Sequence, residues 1–126
     1  MIDVGRHAIL GVKINAVDYE TAVERIIRAA RERRGFAASA LAVHGLMTGV
    51  LDEEQRYRLN RFDLLVPDGQ PVRWALNWLY RAGLKDRVYG PNLMRKVCAR
   101  AAQEGLGIFF YGSTEEILSA MPSVGW

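Results

Sequence analysis

The sequence predicts an α/β fold, a Rossmann-like open and doubly wound parallel sheet with helices on both faces. Residues 36–43, 62–66 and 108–111 are largely apolar runs of strand length, as expected of strands that are buried on both sides. Segments with apolar residues at helical spacing separate these runs. Such alternation is typical of a parallel sheet that helices cover on both sides.

The segment before the first run predicts a strand or hairpin and then a helix. Residues 7–14 are rich in β-forming side chains. Asp18 is placed to cap the following helix, and Gly35 is expected to end it. The apolar positions of this helix recur at helical spacing and are Val23, Ile26, Ile27 and Ala30.

Two helices are predicted on either side of the second apolar run. Residues 44–60 are expected to form one helix that turns Leu46, Val50 and Tyr57 towards the core. After the strand, which Pro67 is expected to stop, a proline suits the first turn of the next helix. That helix has one apolar face, formed by Val72, Ala75, Leu76 and Leu79.

Glycines mark the limits of the remaining predicted helices. Gly90 with Pro91 begins a helix that Gly105 closes, and residues 115–120 read as the start of another. A sheet with three central strands normally continues past this point. We therefore predict a single domain, residues 1–126, whose fold is incomplete at its C-terminal end.

The composition is that of one globular domain. The chain has 126 residues, of which 50% are hydrophobic and 25% charged. Its net charge of +3 is too small to predict nucleic acid as a partner. The single cysteine, Cys98, excludes an internal disulfide and suits a reducing compartment. With no signal peptide and no apolar run of membrane length, we expect a cytoplasmic protein, or one on a membrane that it does not cross.

The most informative motif is VPDGQP at residues 66–71. It puts a carboxylate, Asp68, directly after a buried strand and before a helix. In open α/β sheets ligands bind beyond the carboxyl ends of the strands, where such a carboxylate could take a proton from a hydroxyl. The same letters also describe an ordinary turn in which Asp68 caps the next helix.

Two further turns contain groups that suit phosphate. Arg81, Lys85, Arg87 and Tyr89 precede a helix start and could hold a diphosphate, or they could form a solvated loop. Residues 111–114 end a predicted strand with glycine and hydroxyl groups, but Ser113 followed by an acid three residues later favours a capping box.

Other side chains leave their roles open. His44 could contact a ligand beyond the strand at residues 36–43 or cap the next helix. Trp74 and Trp78 could be core residues or an exposed interaction stripe. Two distant histidines and one cysteine have no metal-site spacing, so neither a metal nor another cofactor is predicted.

Three motifs together resemble the WecG/TagA/CpsF glycosyltransferases, glycosyltransferase family 26. They are DLLVPDGQPVRWA at residues 63–75, DRVYGPNLM at 86–94 and EGLGIFFYGS at 104–113. The similarity extends from about residue 9 to residue 118, and the order and spacing of the motifs make it more specific than any one of them.

This resemblance implies a Rossmann-like enzyme that moves an N-acetylmannosamine-type sugar from a UDP donor to a polyprenyl-diphosphate-linked sugar. The reaction would be inverting and metal-free, with Asp68 as general base and Arg87 neutralising the departing diphosphate. Self-association into a homo-oligomer stays open. The predicted substrate-binding positions lie in the turns described above and are His44, Gly69, Gln70, Arg73, Tyr89, Gly90, Asn92, Gly112 and Ser113.

The sequence departs from the family pattern in two places. Where many members carry Thr-x-Asn, this chain has Ala40, Leu41 and Ala42. Family members also continue past the third strand, where they complete the nucleotide site and add an appendage that helps membrane docking. The alternative expectation is therefore an inactive truncated fragment or a non-catalytic interaction module.

Overall fold

The computed structural model describes residues 1–109 and 111, and within them strands and helices alternate as a mixed α/β structure. The elements in chain order are β1 (Asp3–Ile9), β2 (Val12–Val17), α1 (Tyr19–Arg31), β3 (Ala38–Leu41), α2 (Val43–Leu51), α3 (Glu53–Asn60), β4 (Leu64–Pro67), α4 (Gln70–Tyr80) and α5 (Gly90–Gln103).

The first two strands form an antiparallel hairpin, which confirms the predicted hairpin. Its turn consists of Leu10 and Gly11, which both have positive φ angles, 49° and 89°. Two consecutive positive φ angles match the right-handed twist of the flanking strands. β2 is the buried strand of the pair, since Val12 and Ile14 are fully buried.

A parallel pair, β3 with β4, forms the centre of the chain. Ala38 lies opposite Leu64, and Leu41 lies opposite Pro67. All four residues of β4 are buried. Leu65 belongs to a core cluster with side chains of α2, α3 and α4, whereas Leu64 and Val66 belong to a second cluster with α1 and α5. Helices therefore cover both faces of the pair, as predicted.

The extent of the sheet differs from the prediction. The described residues contain two separate two-stranded sheets and not one open Rossmann-like sheet. β2 lies against β4, but no backbone ladder joins them, and the hydrogen bond between them is made by a side chain. The Oδ1 atom of the buried Asn15 accepts a hydrogen bond from the backbone N–H of Leu65 at 2.8 Å. An amide side chain thus takes the place of a backbone ladder between the hairpin and the parallel pair.

Two of the runs that were predicted as fully buried strands contain exposed residues. The run at 36–43 forms only the four-residue β3, and Ala38 is exposed because that edge opens into a cleft of about 320 Å³ between α1 and α5. In the run at 108–111, the described residues form no strand. Phe109 is 87% exposed and Tyr111 is 95% exposed, so these side chains are not buried as predicted.

The predicted helix at 44–60 is two helices, α2 and α3. Asp52 separates them because its backbone is extended, and its carboxylate accepts hydrogen bonds from the N–H groups of Glu54 and Gln55. This N-cap starts a new helix with a new inward side. Leu59 is buried, whereas Tyr57, which was predicted to face inward, is 62% exposed.

α1 begins where predicted but ends early. Asp18 accepts a hydrogen bond from the N–H of Thr21 at 3.0 Å. Burial raises the pKa of Asp18, but hydrogen bonds from Thr21 and Ile2 and the nearby amino terminus outweigh it, so the pKa lies below its usual value. The helix ends at Arg31, and Arg33 takes the left-handed conformation that Gly35 was expected to supply.

The later helices confirm their predicted starts. Pro71 lies in the first turn of α4, and Pro91 lies in the first turn of α5. Val72 and Leu76, on the predicted apolar face of α4, are buried, whereas Leu79 on the same face is 51% exposed. Leu79 therefore lies at the edge of the core and is not covered by it.

Ion pairs join α1 to the C-terminal end of α5. Glu104 accepts a hydrogen bond from Arg31 at 2.6 Å, and Arg100 pairs with both Glu104 and Glu24. The hydrogen bond from Arg31 is the main cause that lowers the pKa of Glu104. These exposed ion pairs add to the apolar packing of Leu93 and Ala101 against α1, which places the N-terminus of α5 at the ends of β3 and β4.

We expect Asn15→Ala to lower the free energy of unfolding by about 1–3 kcal/mol, because it leaves the buried N–H of Leu65 without a partner. Urea denaturation measures this. Asn60→Ala is the matched control, since Asn60 also bridges backbone groups, Lys13 N–H and Gly11 C=O, but at an exposed site where water replaces it. Equal losses in both variants would contradict the role given to Asn15.

Candidate functional site

The carboxyl ends of β3 and β4 lie side by side and bring two turns together. We call this region the carboxyl edge. Asp68 follows β4 directly, and its backbone N–H donates to the carbonyl of Leu41 at 3.1 Å, beyond the last strand pair. Gly69 then takes a φ angle of 115°, which side chains strongly disfavour, and α4 begins. The half-buried Asp68 carboxylate is thus held at the sheet end by backbone on both sides.

The N-terminus of α5 meets the same carboxylate. The N–H of Gly90 donates to Asp68 Oδ2 at 3.4 Å. A Cβ atom on Gly90 would lie 3.2 Å from Ala40 Cβ, a tight contact, and 3.6 Å from Asp68 Oδ2, so glycine lets the two segments approach without a shift of Ala40. Val88, just before the helix, donates from its N–H to the carbonyl of Pro67 at 2.7 Å. The structure therefore brings Asp68 and Gly90 together.

Arg87 and Tyr89 flank this junction. The Arg87 guanidinium lies over the Tyr89 ring, 4.7 Å from its centroid. The N–H of Arg87 donates to Asp86 Oδ1, and the N–H of Tyr89 donates to the Tyr19 hydroxyl. Within the described part of the chain no carboxylate pairs with the half-buried Arg87 guanidinium. A cation therefore stands beside a helix start, an arrangement that suits phosphate.

Gln70 and Arg73 connect the start of α4 to the segment that bears Arg87. Arg73 donates to Gln70 Oε1 at 2.6 Å and to the carbonyl of Leu84 at 3.0 Å. Gln70 in turn donates to Asp86 Oδ1 at 3.2 Å. The structure thus places both predicted substrate-binding side chains in contacts that support residues 84–87.

Asn77 is a supporting residue that the sequence analysis missed. Its Nδ2 donates to the carbonyl of Leu84 at 2.9 Å, and its Oδ1 accepts from the N–H of Leu84 at 2.8 Å. Both backbone groups of the buried Leu84 are therefore held by one amide. Asparagine has low helix propensity, and Asn77 follows Leu76, which the sequence puts on the apolar face of α4. This unfavourable residue within a predicted helix is the signal that could have revealed its role.

The remaining predicted site residues are either exposed in the first turn of a helix or lie outside the described residues. His44 is exposed in the first turn of α2, and because Ala42 is the N-cap, His44 does not have the capping role that the sequence left open. Asn92 is exposed in the first turn of α5. Gly112 and Ser113, like the helix start predicted at 115–120, lie outside the described residues.

The described residues offer neither a metal-binding cluster nor a membrane-spanning helix. Over residues 1–109 and 111, no three histidine, cysteine or acidic side chains converge as a metal site would require. None of the helices in this part of the chain has both the length and the apolar character needed to cross a bilayer.

These features define an α/β protein whose candidate site lies at the carboxyl ends of two parallel strands, with a carboxylate, a helix N-terminus and an arginine around it. A model of the glycosyl transferase WecG/TagA/CpsF family matches residues 7–123, and the chain belongs to that family. Membership implies glycosyltransferase activity in polysaccharide biosynthesis. No curated protein matches the chain.

We expect Asn77→Ala to loosen the segment that carries Arg87, because it removes both hydrogen bonds to Leu84. Hydrogen–deuterium exchange should show faster exchange of the amides of residues 84–88 and unchanged exchange in β4. Asn60→Ala is the reciprocal control, since Asn60 makes the same pair of bonds to the hairpin turn. Unchanged exchange at residues 84–88 in Asn77→Ala would show that Asn77 does not support this segment.

Proposed function

We propose that this chain transfers an N-acetylmannosamine-type sugar from a UDP donor to a polyprenyl-diphosphate-linked sugar acceptor. The observation that carries the proposal is the half-buried Asp68 carboxylate at the carboxyl edge, beside the N-terminus of α5. Family membership supports the class of reaction, and the three sequence motifs support the donor and acceptor. The site of action would be the inner face of the cytoplasmic membrane.

Asp68 is the proposed general base. The acceptor hydroxyl oxygen forms a bond to the anomeric carbon of the donor while Asp68 takes its proton. The bond between that carbon and the diphosphate oxygen breaks on the opposite face, so the configuration inverts. Among the described residues only the N–H of Gly90 donates a hydrogen bond to the Asp68 side chain, through Oδ2. Oδ1 is therefore available to the acceptor hydroxyl.

Arg87 and the start of α5 are proposed to receive the departing UDP. The electron pair of the broken bond stays on the diphosphate, whose negative charge is stabilised by a guanidinium and by the N–H groups of a helix start. Arg87 is stacked on Tyr89 and lies one residue from Val88, which is tied to the end of β4. This support favours a fixed position for the cation.

The other proposed substrate contacts surround these two groups. His44 and Asn92 are exposed in the first turns of α2 and α5, and Gly69 and Gly90 let backbone approach a ligand closely. No metal or other cofactor enters the proposed reaction, and self-association into a homo-oligomer is compatible with it. The full proposed set is His44, Gly69, Gln70, Arg73, Tyr89, Gly90, Asn92, Gly112 and Ser113.

Asp68→Asn should strongly reduce sugar transfer while keeping UDP binding. The amide keeps an oxygen for the Gly90 N–H but cannot accept the proton, so we expect sugar transfer to fall about 10²–10⁴-fold. Product formation from a UDP-sugar and a polyprenyl-diphosphate-linked acceptor measures this. Asp63→Asn is the matched control, since Asp63 lies at the opposite end of β4 and its Oδ2 accepts from Ala37. Full transfer activity in Asp68→Asn would refute the assignment of the base.

Arg87→Ala should weaken UDP binding by about 10–100-fold, the usual effect of removing one charge-assisted hydrogen-bond donor. Isothermal titration calorimetry with UDP measures the change. Arg61→Ala is the control, because Arg61 stacks on Tyr57 at 5.6 Å but precedes β4, at the far end of the strand from Asp68. If both variants bind UDP like the unchanged chain, Arg87 is not a diphosphate ligand.

The second candidate function is a non-catalytic interaction module. Trp74 is 56% exposed and Trp78 is 84% exposed, which favours a surface that contacts another molecule. A module of this type would bind no UDP and would be indifferent to Asp68→Asn. Calorimetry with UDP on the unchanged chain therefore separates the two functions before any transfer assay.

A further inference from the structure

The outer side of α4 exposes two tryptophans in one line. Val72 and Leu76 turn to the core, whereas Trp74 is 56% exposed and Trp78 is 84% exposed. Arg81, which ends the helix in a left-handed conformation, continues the line and is also exposed. We call Trp74, Trp78 and Arg81 the tryptophan face. It is an apolar surface with a cation at its C-terminal end.

The segment that carries this face is basic, although the exposed Asp86 follows it directly. Residues 69–85 contain three basic side chains, Arg73, Arg81 and Lys85, and no aspartate or glutamate. Arg73 is engaged with Gln70 and Leu84, whereas Arg81 and Lys85 are exposed. Indole rings beside exposed cations are typical of helices that lie at the boundary between water and anionic lipid.

The size of the face also favours lipid over a protein partner. Trp74 and Trp78 together expose about 350 Å², taking about 250 Å² for a whole indole side chain. A stable protein interface buries about 800 Å² on each partner. Insertion of side chains into a lipid surface has no such minimum, because apolar burial and charge attraction add for each residue.

We propose that the tryptophan face docks α4 on an anionic lipid surface, with both indoles at the headgroup level and Arg81 and Lys85 on lipid phosphates. Trp74 and Trp78 lie about 6 and 12 Å along the helix from Gln70. Asp68 is two residues before that start, so docking holds the carboxyl edge near the surface. Docking would bring the carboxyl edge close to a lipid-linked acceptor, and this consequence rests on the proposed function. The docking itself does not rest on it.

Vesicle flotation with the full chain tests the docking. Vesicles of phosphatidylcholine with 25% phosphatidylglycerol should bind the unchanged chain more tightly than phosphatidylcholine alone, by about tenfold at 0.1 M salt, where charge attraction still reaches about 10 Å. Trp74→Gln with Trp78→Gln should lower binding to the anionic vesicles by at least about tenfold. Tyr57→Gln, which removes another exposed helical aromatic, is the control and should bind normally.

A second pair of variants tests the cations and does not touch the indoles. Arg81→Asn, with a residue that tolerates the left-handed conformation, combined with Lys85→Gln should weaken binding to anionic vesicles and reduce its salt dependence. Binding to phosphatidylcholine alone should be unchanged. If the unchanged chain binds no vesicles, or if both variant pairs bind as it does, the proposal is wrong.

A contact between copies of the chain is the competing outcome. Sedimentation velocity without lipid would then show an oligomer that Trp74→Gln with Trp78→Gln converts to a monomer, and this result would overturn lipid docking. The docking and the proposed function can fail independently. Asp68→Asn should float with vesicles like the unchanged chain. If the unchanged chain binds no UDP but its flotation depends on Trp74 and Trp78, the proposed function is wrong and the docking surface stands.

Discussion

The candidate site depends on the burial of β4 on both of its faces. Leu65 packs among α2, α3 and α4, while Leu64 and Val66 pack among α1 and α5. Because side chains alternate along a strand, two separate cores hold β4 in one register and one orientation. Asp68 follows the last residue of β4, so the contacts that stabilise the fold also position the carboxylate.

Close backbone approach turns this strand end into a site. Gly69 allows the sharp start of α4, and Gly90 allows the N-terminus of α5 to come within hydrogen-bond distance of Asp68. Contacts among side chains then support the segment before α5, through Arg73 and Asn77 on Leu84. The carboxylate, the helix start and Arg87 are therefore held by different elements that converge only in the folded chain.

Much of the site could be predicted, because its residues lie in short turns next to strong strand and helix signals. Asp68 and Gly90 were predicted from such turns, and the structure joins them. Asn77 was missed because its low helix propensity marks the position but does not identify its partner, the backbone of Leu84 in the loop after α4. The break at Asp52 was missed for a related reason, since a helical apolar period can continue across a new N-cap.

The sequence by itself determined the α/β class, the alternation of strands and helices up to α5 and the turns that bear the polar groups, because periodicity and capping act over a few residues. Only the tertiary structure decided which surfaces are covered. Ala38, Phe109 and Trp78 are all compatible with burial in the sequence, yet all three are exposed in the structure. Burial depends on what packs against a side chain, and that partner comes from distant parts of the chain.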